Sequence, residues 1–353
     1  MGDGFTHPAV IEVARFDQGN GRATNRKVTM NMKIAMKCLV NAVLAVSANA
    51  AHAQQDYPAK PIRMIVGVAP GGATDILARA VGARLAEAFR QQVIVENRPG
   101  ANHIIGGELT AKSPKDGYTI QMIPEGFVIN ASVYAKLPFD PVKDFSPIAI
   151  VANVPNVLVV HPLLPARTVK QFAAIARARP GQLSYGSSSV GSPSHMSGEM
   201  FKVLAKVDYV HVPYKGQSLA LVDLMGGHIQ FLFPSIPSAV QHVRSGKLVA
   251  LGVTTAQRAT ALPDIPTIHE AGISGYEVSG WYGVIGPAGL PPPVVGKLNK
   301  EINDYLNTPA TRKQLSSEGA EPRTGTPEEF GVAMATDLQK WAKVVAAAGI
   351  RIK

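Results

Sequence analysis

Ile62-Arg63-Met64-Ile65-Val66-Gly67-Val68-Ala69-Pro70-Gly71-Gly72-Ala73-Thr74-Asp75 leads from a nearly unbroken apolar run, through a proline–glycine turn, into residues at helical spacing. A strand apolar on both sides suits a parallel sheet covered on both faces. The helix it feeds continues with Ile76, Leu77, Ala80, Val81, Leu85, Ala88 and Phe89. A helix start fronted by glycines leaves backbone N–H groups open to a carboxylate or phosphate. Val93–Val95 is the next strand, closed by the turn Glu96-Asn97-Arg98-Pro99-Gly100, and a helix through Gly106–Lys112 leads to the strand Tyr118–Ile123. The alternation predicts an open α/β sheet, mostly parallel.

The same device recurs about a hundred residues on. Gly186-Ser187-Ser188-Ser189-Val190-Gly191-Ser192-Pro193-Ser194-His195 follows the strand Gln182–Tyr185 and precedes the helix Met196–Lys206. Around it lie helices at Val169–Ala178, Leu219–Met225 and Pro237–Arg244, and strands at Tyr209–Val212, Ile229–Phe233 and Leu248–Val253. A second α/β lobe accounts for them. Chain crossings fit at Asn153–Asn156 and near Tyr276–Gly280, and the C-terminal part is helical at Val294–Leu306, Pro309–Ser317 and Pro327–Ala348. Lobe 1 is therefore expected to hold residues 54–155 and 281–353, with lobe 2, residues 156–280, inserted. Ligands of such sheets bind at the carboxyl ends of strands, where both glycine-rich loops fall.

Residues 1–53 read as an upstream extension and a signal peptide. Lys33 and Lys37 precede the Ala-rich apolar run Cys38–Ala51, which ends in Ala51-His52-Ala53, a small-residue cleavage pattern. The run is too short and too rich in alanine for a membrane span. Met1–Thr29 is polar and patternless, and Met30 or Met32 is the more natural start of such a leader. Cleavage after Ala53 removes Cys38, the chain's one cysteine, leaving no disulfide, Cys-ligated metal or Cys nucleophile. Of the 35 basic and 25 acidic residues, six and three precede Gln54, so the remainder carries a net of +7. Such a field suits an anionic ligand as well as it suits an ordinary basic surface. Basic runs interleaved with aromatics are absent, and nucleic acid is not an expected partner.

The templates of catalysis fail. The chain has no phosphate-binding G-x-x-x-x-G-K-[ST], no dinucleotide G-x-G-x-x-G after a strand and no H-E-x-x-H. Gly186-Ser187-Ser188-Ser189-Val190 resembles a nucleophile elbow but puts valine where the second glycine belongs. Ser188 with His195, His211 or His228 would be the pair of a secreted hydrolase, which needs a Ser–His bond and an orienting acid. The histidines lie singly, without metal-ligand spacing. Met196, Met200 and Leu204 read as core packing. His195 is either a cap or a ligand contact, and Asp75 either caps its helix or lies at the site.

With these loops in place, the chain resembles the Bug/TctC-like periplasmic receptors of tripartite tricarboxylate transporters. The segments that carry the likeness include Tyr57-Pro58…Lys60-Pro61-Ile62, Pro70-Gly71-Gly72…Asp75, Val95–Ala101, Asp116-Gly117-Tyr118-Thr119 and Leu137–Pro141…Asp144-Phe145. Tyr185-Gly186-Ser187-Ser188…Gly191…His195, His211–Gly216, Ser245–Leu248, Leu262–Thr267 and Gly319–Pro322 continue it in order. The resemblance implies a two-lobed Venus-flytrap fold that closes on a small carboxylate and presents it to multi-span permease subunits. It implies a periplasmic, monomeric receptor without cofactor or catalysis. A receptor feeding a sensor kinase is the alternative within the same likeness. Gly71, Gly72, Ala73, Thr74 and Asp75 would face Ser187, Ser188, Gly191, Ser192 and His195 around one carboxylate, with Glu125, Lys215 and Ser235 completing the site. Two departures stand out: Asn102-His103 where the family commonly has glycines, and Pro234-Ser235 where many members place a polar or acidic residue. Without an acid there, the site suits a dicarboxylate or aromatic acid better than an α-amino acid.

Overall fold

The computed structural model describes residues 57–348 continuously and, upstream, a two-stranded antiparallel ladder, Val10–Val13 (β1) against Arg26–Thr29 (β2). The stretch read as patternless thus contains paired strands, each too short for its alternation to register as a signal. The leader reading of Lys33–Ala53 falls outside the described residues. Among the described residues no helix is long and apolar enough to cross a membrane.

The first sheet has the order β13-β6-β12-β5-β3-β4. Its parallel arm is Ile62–Val66 (β3), Val93–Asn97 (β4) and Thr119–Pro124 (β5), with β3 central. Ala73–Phe89 (α1) and Ile104–Ala111 (α2) make the crossovers between them. Arg63, the one cation of the first strand, projects to a paired Glu96 on β4 at 2.8 Å, so the charge does not interrupt the apolar interior. Gly126–Val133 (α3) follows β5 directly. Pro124 ends the strand and Gly126 opens the helix.

Phe145–Pro155 (β6) lies in the first sheet and Val157–Val160 (β7) in the second, so the chain crosses at Asn156. The second sheet, ordered β11-β7-β10-β8-β9, is built from Ser184–Ser187 (β8), Val210–Pro213 (β9), Phe231–Leu232 (β10) and Val249–Val253 (β11). Its helices are Val169–Ala178 (α4), Pro193–Ala205 (α5), Gln217–Met225 (α6) and Ile236–Arg244 (α7). Ser279–Pro287 (β12) returns to the first sheet and pairs antiparallel with β6 from Pro155 back to Phe145. Pro292–Asn307 (α8), Pro309–Glu318 (α9), Glu321–Pro322 (β13) and Pro327–Ala348 (α10) complete that lobe.

The fold is two-lobed α/β. The expected parallel arms are β4-β3-β5 and β9-β8-β10; the strands that cross or return between sheets run antiparallel, which makes each sheet mixed. Lobe 2 has a core on each sheet face, one around Phe172, Tyr185, Phe201 and Phe231, the other around Leu221, Leu224, Ile236 and Val240. Lobe 1 is centred on Phe127, Phe139, Phe145 and Phe330. A smaller cluster joins the two: Met196 of α5 packs among Ile129 and Val133 of α3 and Trp341 and Val345 of α10.

Candidate ligand-binding cleft

Four helix starts converge between the lobes. Gly72, Ala73 and Thr74 open α1, and Asn102 and His103 lead into α2. From lobe 2 come Ser192 and Pro193 at the start of α5 and Gln217 at the start of α6. Val68, Pro124, Ser188 and Tyr282 complete a cavity of about 20 Å³, room for little more than a water molecule. The lobes are drawn together around it. The Ala69 N–H donates to Lys215 O at 3.2 Å, Ser218 Oγ to Pro70 O at 2.7 Å, and Ser189 Oγ to Asn102 Oδ1 at 2.6 Å.

On the lobe 1 side Gly71 shapes the turn and does not offer its own N–H to the cleft. Gly71 sits at φ +87°, a conformation L side chains rarely adopt, and lets the chain turn into α1. Its N–H is taken by Asp75 Oδ2 at 3.0 Å. Asp75 also accepts from Arg79, at 2.9 Å, and from Asn97 Nδ2, at 3.0 Å. Burial opposes ionisation of this carboxyl, but the bonds from Arg79, Gly71 and Asn97 outweigh it and hold it below the usual carboxylate range. Asp75 therefore braces the loop and does not line the cavity. The amides of Ala73 and Thr74, in the first turn of α1, have no acceptor among the described residues. They are the loop's open donors.

The serine loop is held by its own hydroxyls. Ser192 caps α5, accepting the His195 N–H at 3.3 Å while donating to Ser189 O at 2.7 Å. Ser194 Oγ accepts the Ser188 N–H at 2.9 Å and lies 3.3 Å from Ser188 Oγ. Gly191, at φ +79°, donates its N–H to His195 Nδ1 at 3.1 Å. His195 is thus a buried brace under the loop, stacked on His211 with ring centroids 4.2 Å apart. Burial pushes its imidazole down to about 4; burial and the neighbouring His195 push His211 to about 3. Ser187 is fully buried, and its hydroxyl is committed to Ser189 O at 3.0 Å and His211 Nε2 at 2.7 Å.

That Ser187–His211 bond is within the reach a hydrolase needs, yet Ser187 has no exposed surface. The nearby acid, Glu199, accepts from Tyr185 OH at 2.7 Å and approaches His195 to 3.8 Å, and no carboxylate among the described residues hydrogen-bonds His211. Ser188, the serine of the incomplete elbow, bonds Ser194 and no histidine. These residues assemble no triad open to a substrate. Among the described residues no group of three metal-ligating side chains occurs.

The remaining expected residues lie behind or beside the cleft. Glu125 is buried, its Oε1 accepting from Trp341 Nε1 at 2.8 Å. Burial, reinforced by the charge of Asp337 and eased by Trp341, pushes its carboxyl up to about 7. Lys215 is exposed, and its carbonyl accepts the Ala69 N–H of lobe 1. Ser235 is buried against Ser238 at 2.7 Å, and its N–H reaches Gln217 Oε1 at 3.4 Å. Gln217 itself was not expected: it follows Gly216, and its buried Nε2 has no hydrogen-bond partner among the described residues. Nor was Tyr282, set at the cleft by β12 beside its register partner Pro124 at the end of β5. Among the described residues no Lys, Arg, Asp or Glu lines the cavity.

The family model for tripartite tricarboxylate transporter family receptors matches residues 77–350. Protein BugT of Bordetella pertussis is 34% identical over 92% of this chain and the whole of that protein. The R. palustris Rpa4515 structure with adipate is 36% identical, superposes with a TM-score of 0.82 and is matched over 84% of this chain and all of that one. MatC (Rpa3494) from Rhodopseudomonas palustris with bound malate is 29% identical, with a TM-score of 0.78 over 82% of this chain and all of that one.

Proposed function

Because the chain belongs to the tripartite tricarboxylate transporter receptor family, we propose that it is a periplasmic receptor that captures a small carboxylate in this cleft and presents it to membrane permease subunits. The observation that carries the reading is the set of open donors on both walls: the Ala73 and Thr74 amides at the start of α1, and Ser188 and Gln217 Nε2 opposite. Helix N-termini carry partial positive charge, so a carboxylate can be held by neutral groups without a cation. The cavity also offers no acid to pair with an ammonium group, which favours acids without an α-amino function. Adipate and malate, bound by two relatives, are dicarboxylates of this kind.

A thermal-shift screen of C4–C8 mono- and dicarboxylates on the purified protein tests the reading. A ligand at about 100 times its dissociation constant should add roughly 2.7 kcal/mol of stability. Stabilisation by amino acids but by no carboxylate would overturn it.

A further inference from the structure

Three successive residues that are not glycine, Ala101, Asn102 and His103, adopt left-handed backbone with φ of 43°, 48° and 70°. Such conformations are costly for L residues and persist where surrounding structure or function demands them. Two of the three side chains line the cleft. Asn102 explains itself: its amide donates to Asn130 Oδ1 at 2.7 Å, and its Oδ1 accepts from Ser189 across the cleft.

His103 does not. Its side chain is buried, and no described residue hydrogen-bonds to either ring nitrogen. Its Nδ1 is sealed against the backbone of Gly67, where an added Cβ would lie 2.6 Å away, so it is the rest of the ring that lines the cavity. A buried polar ring without a partner is unusual and calls for one. Resting on the carboxylate reading above, we propose that His103 determines specificity by binding a hydroxyl on the ligand's carbon chain. The other open groups of the cavity, Ala73 N–H, Thr74 N–H and Gln217 Nε2, are donors that a carboxylate satisfies. A neutral imidazole has one donor and one acceptor nitrogen, and a hydroxyl can serve either. Burial drives the ring toward the neutral form, down to about 3, so it brings no cation for a second carboxylate.

The test is calorimetric titration with two pairs of acids differing by one hydroxyl: malate with succinate, and 3-hydroxybutyrate with butyrate. The wild-type protein should bind the hydroxylated member of at least one pair about tenfold more tightly, the worth of one buried hydrogen bond. His103→Gly, which suits the left-handed backbone, should erase that ratio while changing the affinity for the plain acid less than about threefold. His103→Asn, which tolerates the conformation but removes the ring nitrogens, should lose the ratio too and serves if the glycine variant fails to fold. Because the readout is a ratio between ligands, a purely structural role for His103 would not move it. Carboxylates that bind with ratios near one, or a ratio that survives both substitutions, overturn this inference alone. No binding by any carboxylate removes the receptor reading and this one with it.

Discussion

Ser188 and Asp75 show how differently two residues of the glycine and serine loops serve the cleft. Ser188 lines the cavity, and its hydroxyl has only the distant Ser194 Oγ, at 3.3 Å, to compete with a ligand. Hydrogen bonds to a charged acceptor are worth about 1.5–3 kcal/mol, so Ser188→Ala should weaken carboxylate binding about tenfold or more with the melting temperature unchanged. Equal affinity in calorimetry would remove Ser188 from the site. Asp75→Ala should instead cost about 1–3 kcal/mol of stability, because it strands the Gly71 N–H and the Asn97 amide. Urea unfolding of that variant measures it, and an unchanged midpoint would contradict the bracing role. The sequence left Asp75 open between cap and site; only the bonds to Gly71, Arg79 and Asn97 decide that it is structural. The left-handed run at Ala101–His103 was not legible at all, since non-glycine residues carry no local signature for such backbone.

Elements were far more legible than contacts. The apolar strands, the helix Val169–Ala178 and the three C-terminal helices follow from periodicity alone, and the crossing at Asn156 from two apolar runs around a proline. Glu125 was expected at the ligand; its bond to Trp341, 216 residues away on α10, was not legible because no local pattern joins them. This junction of α3 and α10 has a pH signature. The folded carboxyl titrates near 7, above its ordinary 4.5, so the unfolded chain releases the proton first as pH rises. Glu125 thus costs stability progressively between about pH 4.5 and 7. His195 and His211, held down to about 4 and 3, act in the opposite sense: the unfolded chain takes up protons as pH falls below 6.5, and stability drops toward pH 4. The two slopes offset each other in the wild-type curve, so the difference between variants is the informative quantity. Glu125→Gln should be stabilised relative to wild type at pH 8, by up to about 3 kcal/mol, and gain little at pH 4.5. A gap independent of pH in chemical denaturation would refute the protonation of Glu125.

At the scale of the whole molecule, the groups that close the cleft are few and chemically distinct from those that hold each lobe. Each lobe has its own aromatic and aliphatic core, whereas the contacts between the lobes include the hydrogen bonds Ala69–Lys215, Ser218–Pro70, Ser189–Asn102 and Arg244–Ser317 and the cluster around Met196. Near the crossing, Asn156 and Thr254 clasp each other, Thr254 Oγ1 accepting the Asn156 N–H at 3.0 Å, and the Val278 N–H donates to Thr254 O at 2.8 Å just before β12. A ligand that touches Ala73 and Thr74 on one wall and Ser188 and Gln217 on the other gains its full set of bonds only when the lobes are together. It can shift the open–closed balance by no more than that difference in affinity. Hinge rotation at Pro155–Val157 and Val278–Ser279 should then convert binding into compaction. Small-angle scattering should show the radius of gyration falling when a carboxylate that stabilises the protein is added to saturation. Ser189→Ala, which removes one bond between the lobes without touching the cavity donors, should enlarge the ligand-free form and leave the saturated form as compact as wild type. An identical radius with and without ligand, in a protein whose free form is shown to be open, would mean that binding does not close the lobes.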